Sequence, residues 1–176
     1  MKTLFILMTL SIMSTTMIYD FNKESSKTDW TIEDDSAMDG IPQGKFSIDK
    51  DGNGVFSGTN SLDNNGVYAS VRHQFDKIET TKDSKIVIRL KGDGNEYQFK
   101  IKDKSDVLYS YMTTFKTSGK WETIEIKLSD LYLSYRGLRQ QNSPNYNRDS
   151  FVEIAFLISN TEKKSFKLIL DKIELK

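Results

Sequence analysis

Val67-Tyr-Ala-Ser-Val-Arg-His-Gln-Phe75 carries the clearest periodicity in the chain. Successive side chains of an extended strand point to opposite faces. Val67, Ala69, Val71, His73 and Phe75 therefore share one side, and Tyr68, Ser70, Arg72 and Gln74 share the other. An apolar set against a polar set at period two predicts a strand with one buried face and one open face.

The same alternation recurs downstream. Ile86, Ile88 and Leu90 alternate with Val87 and Arg89, and Tyr97, Phe99 and Ile101 alternate with Gln98 and Lys100. Gly92-Asp-Gly-Asn95 between these runs is expected to close a hairpin, because glycine reaches the positive φ such turns need. Further strands are predicted over 18–21, 109–115, 123–128 with Ile124 and Ile126 inward, 152–158 and 166–173. Gly119-Lys120 marks the turn before Trp121. Residues 129–150 are rich in Tyr, Arg, Asn and Gln and contain Pro144. They read as a long irregular loop with one helical turn near Ser129 or Asp130, and loops of that length are often functional. No sustained 3.6-residue pattern, repeat or linker is present. The expected fold is all-β: an antiparallel β-sandwich, one binding domain over 17–176.

Composition narrows the function. The 176 residues are 37% hydrophobic and 11% aromatic, enough for one core. Lys and Arg number 25, as do Asp and Glu, so the basic excess of a nucleic-acid binder is missing. The absence of cysteine excludes disulfides, thiolate nucleophiles and sulfur-ligated zinc. At the N-terminus Lys2 precedes the apolar run Leu4 to Met13, and Ser14, Thr15 and Thr16 follow. This reads as a secretory signal peptide over 1–16, too short to span a bilayer, and predicts export to the periplasm or medium. The competing reading is a buried first strand of a cytoplasmic protein. Export is favoured because 18–21 already supply a first strand.

No catalytic set emerges. His73 is the single imidazole, and its parity with Val71 and Phe75 reads as a hydrogen-bonded core histidine. The nucleophile elbow, the Walker loop and the dinucleotide fingerprint are absent. Asp49-Lys-Asp-Gly-Asn-Gly54 matches the start of a calcium loop, but Asn60 stands where the bidentate Glu belongs. A hairpin turn of turn-favouring residues explains it better. Glu33, Asp34 and Asp35 are adjacent, whereas glycoside hydrolysis needs carboxylates across the scissile bond. No metal or cofactor is expected.

Two surfaces are candidates for binding. Tyr68, Ser70, Arg72 and Gln74 form an outer strand face that Arg89, Gln98 and Lys100 are expected to join. Rings stack on sugar C–H faces and fixed donors bind hydroxyls, so this set suits a glycan, or equally a polar peptide. The bland alternative is a solvated face with Arg72 paired to a carboxylate. Tyr132, Tyr135, Arg136 and Tyr146 form a second set of the kind favoured at protein interfaces, or else a cover for one end of the sandwich.

A longer constellation carries a family resemblance. It runs through Phe21, Trp30, Asp34-Asp-Ser-Ala-Met-Asp-Gly-Ile-Pro-Gln-Gly44, Phe56-Ser-Gly58 and Asn65-Gly-Val-Tyr-Ala-Ser-Val-Arg72. It continues in Arg89-Leu-Lys-Gly-Asp-Gly-Asn-Glu-Tyr97, Trp121, Tyr135-Arg-Gly137 and Phe166-Lys-Leu-Ile-Leu-Asp-Lys-Ile173. In order and spacing this resembles the family of the NADH:ubiquinone oxidoreductase (complex I) intermediate-associated protein 30. The resemblance implies a galactose-binding-like jelly roll and a non-catalytic assembly role. The family's V-M-G-G-x-S-x-G stretch reads here Ala37-Met-Asp39-Gly40-Ile-Pro42-Gln-Gly44, with Asp39 in place of a glycine and Pro42 in place of a serine. The expectation is a non-catalytic module that binds a protein partner or assists assembly. The alternative is an exported carbohydrate-binding module using the outer sheet face.

Overall fold

The computed structural model describes residues 15–34, 44–59, 68–159 and 165–176, with Asp34, Tyr68 and Ser159 by backbone only. Its strands are β1 Thr16–Asp20, β2 Thr31–Asp34, β3 Gly44–Ile48, β4 Gly54–Thr59, β5 Tyr68–Glu79, β6 Lys85–Lys91 and β7 Glu96–Lys102. They continue with β8 Tyr109–Lys116, β9 Trp121–Lys127, β10 Tyr132–Tyr135, β11 Leu138–Arg139, β12 Ser150–Ser159 and β13 Ser165–Leu175. A six-stranded sheet runs β3-β4-β13-β6-β9, with β1 also on β13. A seven-stranded sheet runs β11-β10-β8-β7-β12-β5-β2. Every pairing is antiparallel, and the expected jelly-roll sandwich is what the chain forms.

The alternation read from the sequence becomes the core. Phe56, Ile86, Ile88, Leu90, Leu168, Leu170 and Ile173 of the six-stranded sheet meet Val71, Phe99, Ile101, Tyr111, Ile154 and Phe156 of the other, all buried. Each fully buried side chain of this size contributes about 1.5–3 kcal/mol of transfer free energy. One end is closed by aromatic rings: Trp30 stacks on Phe46 at 5.3 Å and on His73 at 5.0 Å. His73 Nδ1 donates to the Asp29 carbonyl at 2.7 Å, which gives the imidazole a structural task.

The signal peptide expected over 1–16 lies outside the described residues except for its last two, and Thr16 pairs with Leu175. Two expectations are corrected. Gly92-Asp-Gly-Asn95 is no hairpin, because β6 and β7 belong to different sheets. It is an arch between the layers, tied down by contacts distant in sequence. Asp93 accepts from Asn95 N at 3.1 Å, Asn95 Nδ2 at 2.9 Å, Tyr97 Oη at 3.2 Å and Lys167 N at 2.7 Å. Thr117 Oγ1 accepts from Gly94 N and donates to Asn95 O, both at 3.0 Å. A Cβ on Gly92 would sit 2.3 Å from that hydroxyl oxygen, so only glycine fits. The second correction concerns 129–150, expected to be irregular. A 3-10 turn at Leu128–Asp130 leads into the β10–β11 hairpin, whose Arg136 (φ 51°) and Gly137 (φ 78°) make a type I′ turn. Coil begins only after this hairpin.

Asp49-Lys-Asp-Gly-Asn-Gly54 is the β3–β4 turn. Asp49 Oδ1 accepts from the amides of Asp51 and Asn53, each at 2.9 Å, and both its oxygens receive Asn53 Nδ2. Burial alone would raise this carboxyl, but the Asn53, Asp51 and Gly52 donors outweigh it and hold it below its usual value. A depressed folded value contributes stability above the unfolded value, near 3.8, and loses it as pH falls through the folded one. Asp49→Asn is therefore expected to destabilise at neutral pH by about 1 kcal/mol. The gap to the parent should close as pH falls well below about 4, read from urea midpoints across acid pH.

Candidate functional site

Strand parity builds one continuous surface. On the seven-stranded sheet the residues that face away from the core fall into register across six strands. Tyr132 of β10 is opposite Met112 of β8, Met112 opposite Lys100 of β7, Lys100 opposite Ala155 of β12, Ala155 opposite Arg72 of β5, and Arg72 opposite Thr31 of β2. On one side of this row Thr114, Gln98, Leu157, Ser70 and Glu33 form a second. On the other side Lys102, Glu153 and Gln74 form a third. Met112, Ser70, Ala155 and Leu157 are buried although the other sheet packs on the opposite side. They form the buried base of this outer face, the trough, and the longer polar side chains of the same rows surround them.

A charge network fixes the trough's centre. Glu153 is 3% exposed, a rare state for a carboxylate unless it is paired. Gln74 Nε2 donates to its Oε2 at 2.8 Å, Arg72 Nη1 lies 3.5 Å from that oxygen, and Lys102 Nζ lies 3.5 Å from Oε1. Arg72 Nη1 also pairs with Glu33 Oε1 at 2.9 Å. Arg72 Nε is buried and finds no acceptor among the described residues. Lys100 stands apart. Its ammonium makes no hydrogen bond or ion pair with any described residue, and burial draws its proton affinity down, against the opposing field of Glu33.

The residues expected from sequence divide clearly. Ser70, Arg72, Gln74, Gln98 and Lys100 share this trough, with β12 lying between β5 and β7. Tyr68 opens β5, and only its backbone is described. Arg89 does not join them, since β6 belongs to the six-stranded sheet. There Arg89 pairs with Asp171 at 2.8 Å and lies over the Trp121 ring at 5.3 Å. Of the second set, Tyr132 moves into the trough row, its ring covered by the Arg139 guanidinium at 4.7 Å. Tyr135 and Arg136 occupy the exposed hairpin tip. Tyr146 is corrected to a core residue. It is 5% exposed, its hydroxyl donates to Ser150 O at 2.8 Å, and burial pushes the phenol up to about 12. Its amide also bonds Leu131 O, so it plugs the sandwich end and presents no ring to a partner.

Sequence reasoning missed Glu153 and Lys102 as site residues. A lone acid in the otherwise apolar run Val152-Glu-Ile-Ala-Phe-Leu-Ile158 was the available signal, because a charge inside a central strand demands a partner. Among the described residues no group of three or more His, Asp and Glu is placed to hold a metal, and no helix is long and apolar enough to cross a membrane.

The family description of complex I intermediate-associated protein 30 matches residues 19–170. No curated protein matches the chain. Among solved structures, the chain is similar to the family 11 carbohydrate-binding module of the cellulosomal cellulase Lic26A-Cel5E of Clostridium thermocellum. Identity is 24%, with 94% of this chain and 95% of that one covered at a TM-score of 0.67. The same Clostridium thermocellum module, solved with a β-1,3-1,4-mixed-linked tetrasaccharide, gives 24%, 92%, 94% and 0.66. The solution structure of CtCBM11 gives 25%, 94%, 96% and 0.60.

Proposed function

This chain belongs to the complex I intermediate-associated protein 30 family, and from that premise we propose that it is a non-catalytic binding module whose trough on the seven-stranded sheet holds a glycan chain. The observation that carries the reading is the row from Tyr132 to Thr31, which sets Tyr132, Lys100, Arg72 and Thr31 in register across six strands with the buried Met112 and Ala155 between them. An extended saccharide needs such a surface: a base of buried side chains, with polar donors and acceptors along both sides. Here the ion network immobilises Arg72 and Gln74 before any ligand arrives, which lowers the entropic cost of binding. The likeness to carbohydrate-binding modules supports the frame on which this trough is built.

A second reading rests on a different place. Leu138 is 71% exposed and Tyr135 40% at the β10–β11 tip, and Leu108, 76% exposed, precedes Tyr109, the β8 partner of Tyr135. Exposed apolar side chains clustered in this way suit a protein partner. That is the kind of contact that association with a protein complex, as in the family's name, would use.

One experiment separates the readings. Gln98 makes no side-chain bond among the described residues, so Gln98→Ala is expected to leave stability unchanged while weakening retention on immobilised polysaccharides by about fivefold, as for one lost hydrogen bond. Arg72→Ala should abolish retention. A blank across a broad glycan array would remove the first reading. Copurification of a protein that is lost on Leu138→Ser but kept in Gln98→Ala would establish the second.

A further inference from the structure

We infer that the glycan taken by this trough is an acidic one, and that its anionic group is received by the ammonium of Lys100. The inference rests on the glycan reading above and names the ligand class within it.

Lys100 stands at the middle of the row, and its cross-strand neighbours, Met112 and Ala155, carry no charge. Its stem is half-buried. The carboxylates within reach of the network are already engaged: Glu153 by Arg72, Lys102 and Gln74, and Glu33 by Arg72. Three cations, Arg72, Lys100 and Lys102, thus face two carboxylates, and the surplus positive charge is localised on the one cation without a partner among the described residues. The Arg139 guanidinium over Tyr132 adds a second positive group at the end of the same row.

A cation drawn partly out of water with no ion pair of its own, and only the field of the Arg72-bound Glu33 to offset it, is costly. A neutral hydroxyl offsets little of that cost, and Gln98 on the next row already supplies neutral donors and acceptors. A carboxylate or sulfate on a sugar ring supplies the missing charge. The chain as a whole is neutral, with 25 basic and 25 acidic residues, so preference for a polyanion must come from this point and not from the general field.

The test uses the full chain and three probes: polygalacturonate, dextran sulfate and a neutral mixed-linkage β-glucan, each by affinity electrophoresis and calorimetry. Polygalacturonate or dextran sulfate should bind about tenfold more tightly than the neutral glucan, as one partly buried ion pair allows. Which of the two binds distinguishes a uronate from a sulfate ester. Lys100→Met keeps the stem and removes the charge. It should cancel that preference while leaving Tm unchanged or raised. Lys167→Gln, an exposed lysine on the other sheet, should change nothing. Equal binding of neutral and acidic probes, insensitive to Lys100→Met, would overturn the inference and leave the glycan reading standing. Equal losses in Lys100→Met and Lys167→Gln would reduce the effect to general charge attraction and overturn it too. Failure of all three probes, and of a wider array, would remove both.

Discussion

Phe156→Ala is expected to lower stability by about 3–5 kcal/mol, the range for truncating a fully buried aromatic. Phe156 is completely buried on β12, the strand between β7 and β5. Its ring lies 5.5 Å from Phe99, 6.3 Å from Trp30 and 6.4 Å from Phe115, so it joins the mid-sheet core to the aromatic end cluster. Phe99 and Phe115 lie on β7 and β8, inner strands of the seven-stranded sheet, and they cannot collapse into the space a methyl group leaves. Phe156→Leu should cost less, about 1–2 kcal/mol, because much of the volume remains. Urea unfolding of both variants gives the comparison. A loss below about 1 kcal/mol for the alanine variant would mean that the two sheets close up freely at this point. Since Ala155 and Leu157 of the trough flank Phe156, the alanine variant should also weaken ligand retention without touching a contact residue.

That coupling explains what was legible in the sequence and what was not. Period-two alternation is a property of one strand against one core. It therefore separated Tyr68, Ser70, Arg72 and Gln74 from Val71 and Phe75, and likewise Gln98 and Lys100 from Phe99. It says nothing about which sheet a strand enters, because both sheets bury the same kind of face. Arg89 shows the cost: its strand alternates just as β7 does, yet the 92–95 link crosses between layers. What makes that link an arch is the grip of Asp93 on Lys167 N and the pressure of Thr117 on Gly92, and neither is local.

The 129–150 segment failed differently. Its strands are only four and two residues long, Tyr-Leu-Ser-Tyr and Leu-Arg, too short for a period to show. The pairing of Tyr132 to Ser134 with β8 supplies the order that propensity lacks. Tyr146 was misplaced for a related reason, since a tyrosine in a polar coil is plugged into the core by its own hydroxyl bond to Ser150. The same limit hid Glu153. Its neighbours are apolar on both faces, and only the registered Arg72, Gln74 and Lys102 turn a lone acid into the hub of a site.

Glu153 also gives the largest effect expected at the site itself. Glu153→Ala should cost about 3 kcal/mol, because removing one member of a desolvated ion pair leaves its partners charged and uncompensated. Its side chain is 4% exposed, whereas those of Arg72 and Lys102 are 26% and 21% exposed. Water can therefore relieve part of the exposed charge, which places the cost at the lower end of the usual range of about 3–5 kcal/mol. Glu153→Gln keeps the shape and still accepts from Lys102, so it should lose about half as much. Glu33→Ala is the internal comparison. That carboxylate touches the same guanidinium but is 46% exposed, and such pairs are worth about 0–1 kcal/mol. The double variant Glu153→Gln with Lys102→Met should be less destabilised than the two singles sum to, since the second change removes a charge the first left stranded. Thermal and urea unfolding of the parent and the five variants, Lys102→Met alone included, decide it. If Glu153→Ala costs no more than Glu33→Ala, the floor of the trough is wet, and Arg72 is held by water and not by a buried carboxylate. The preorganised wall on which glycan binding depends would then have to be sought elsewhere on the sheet.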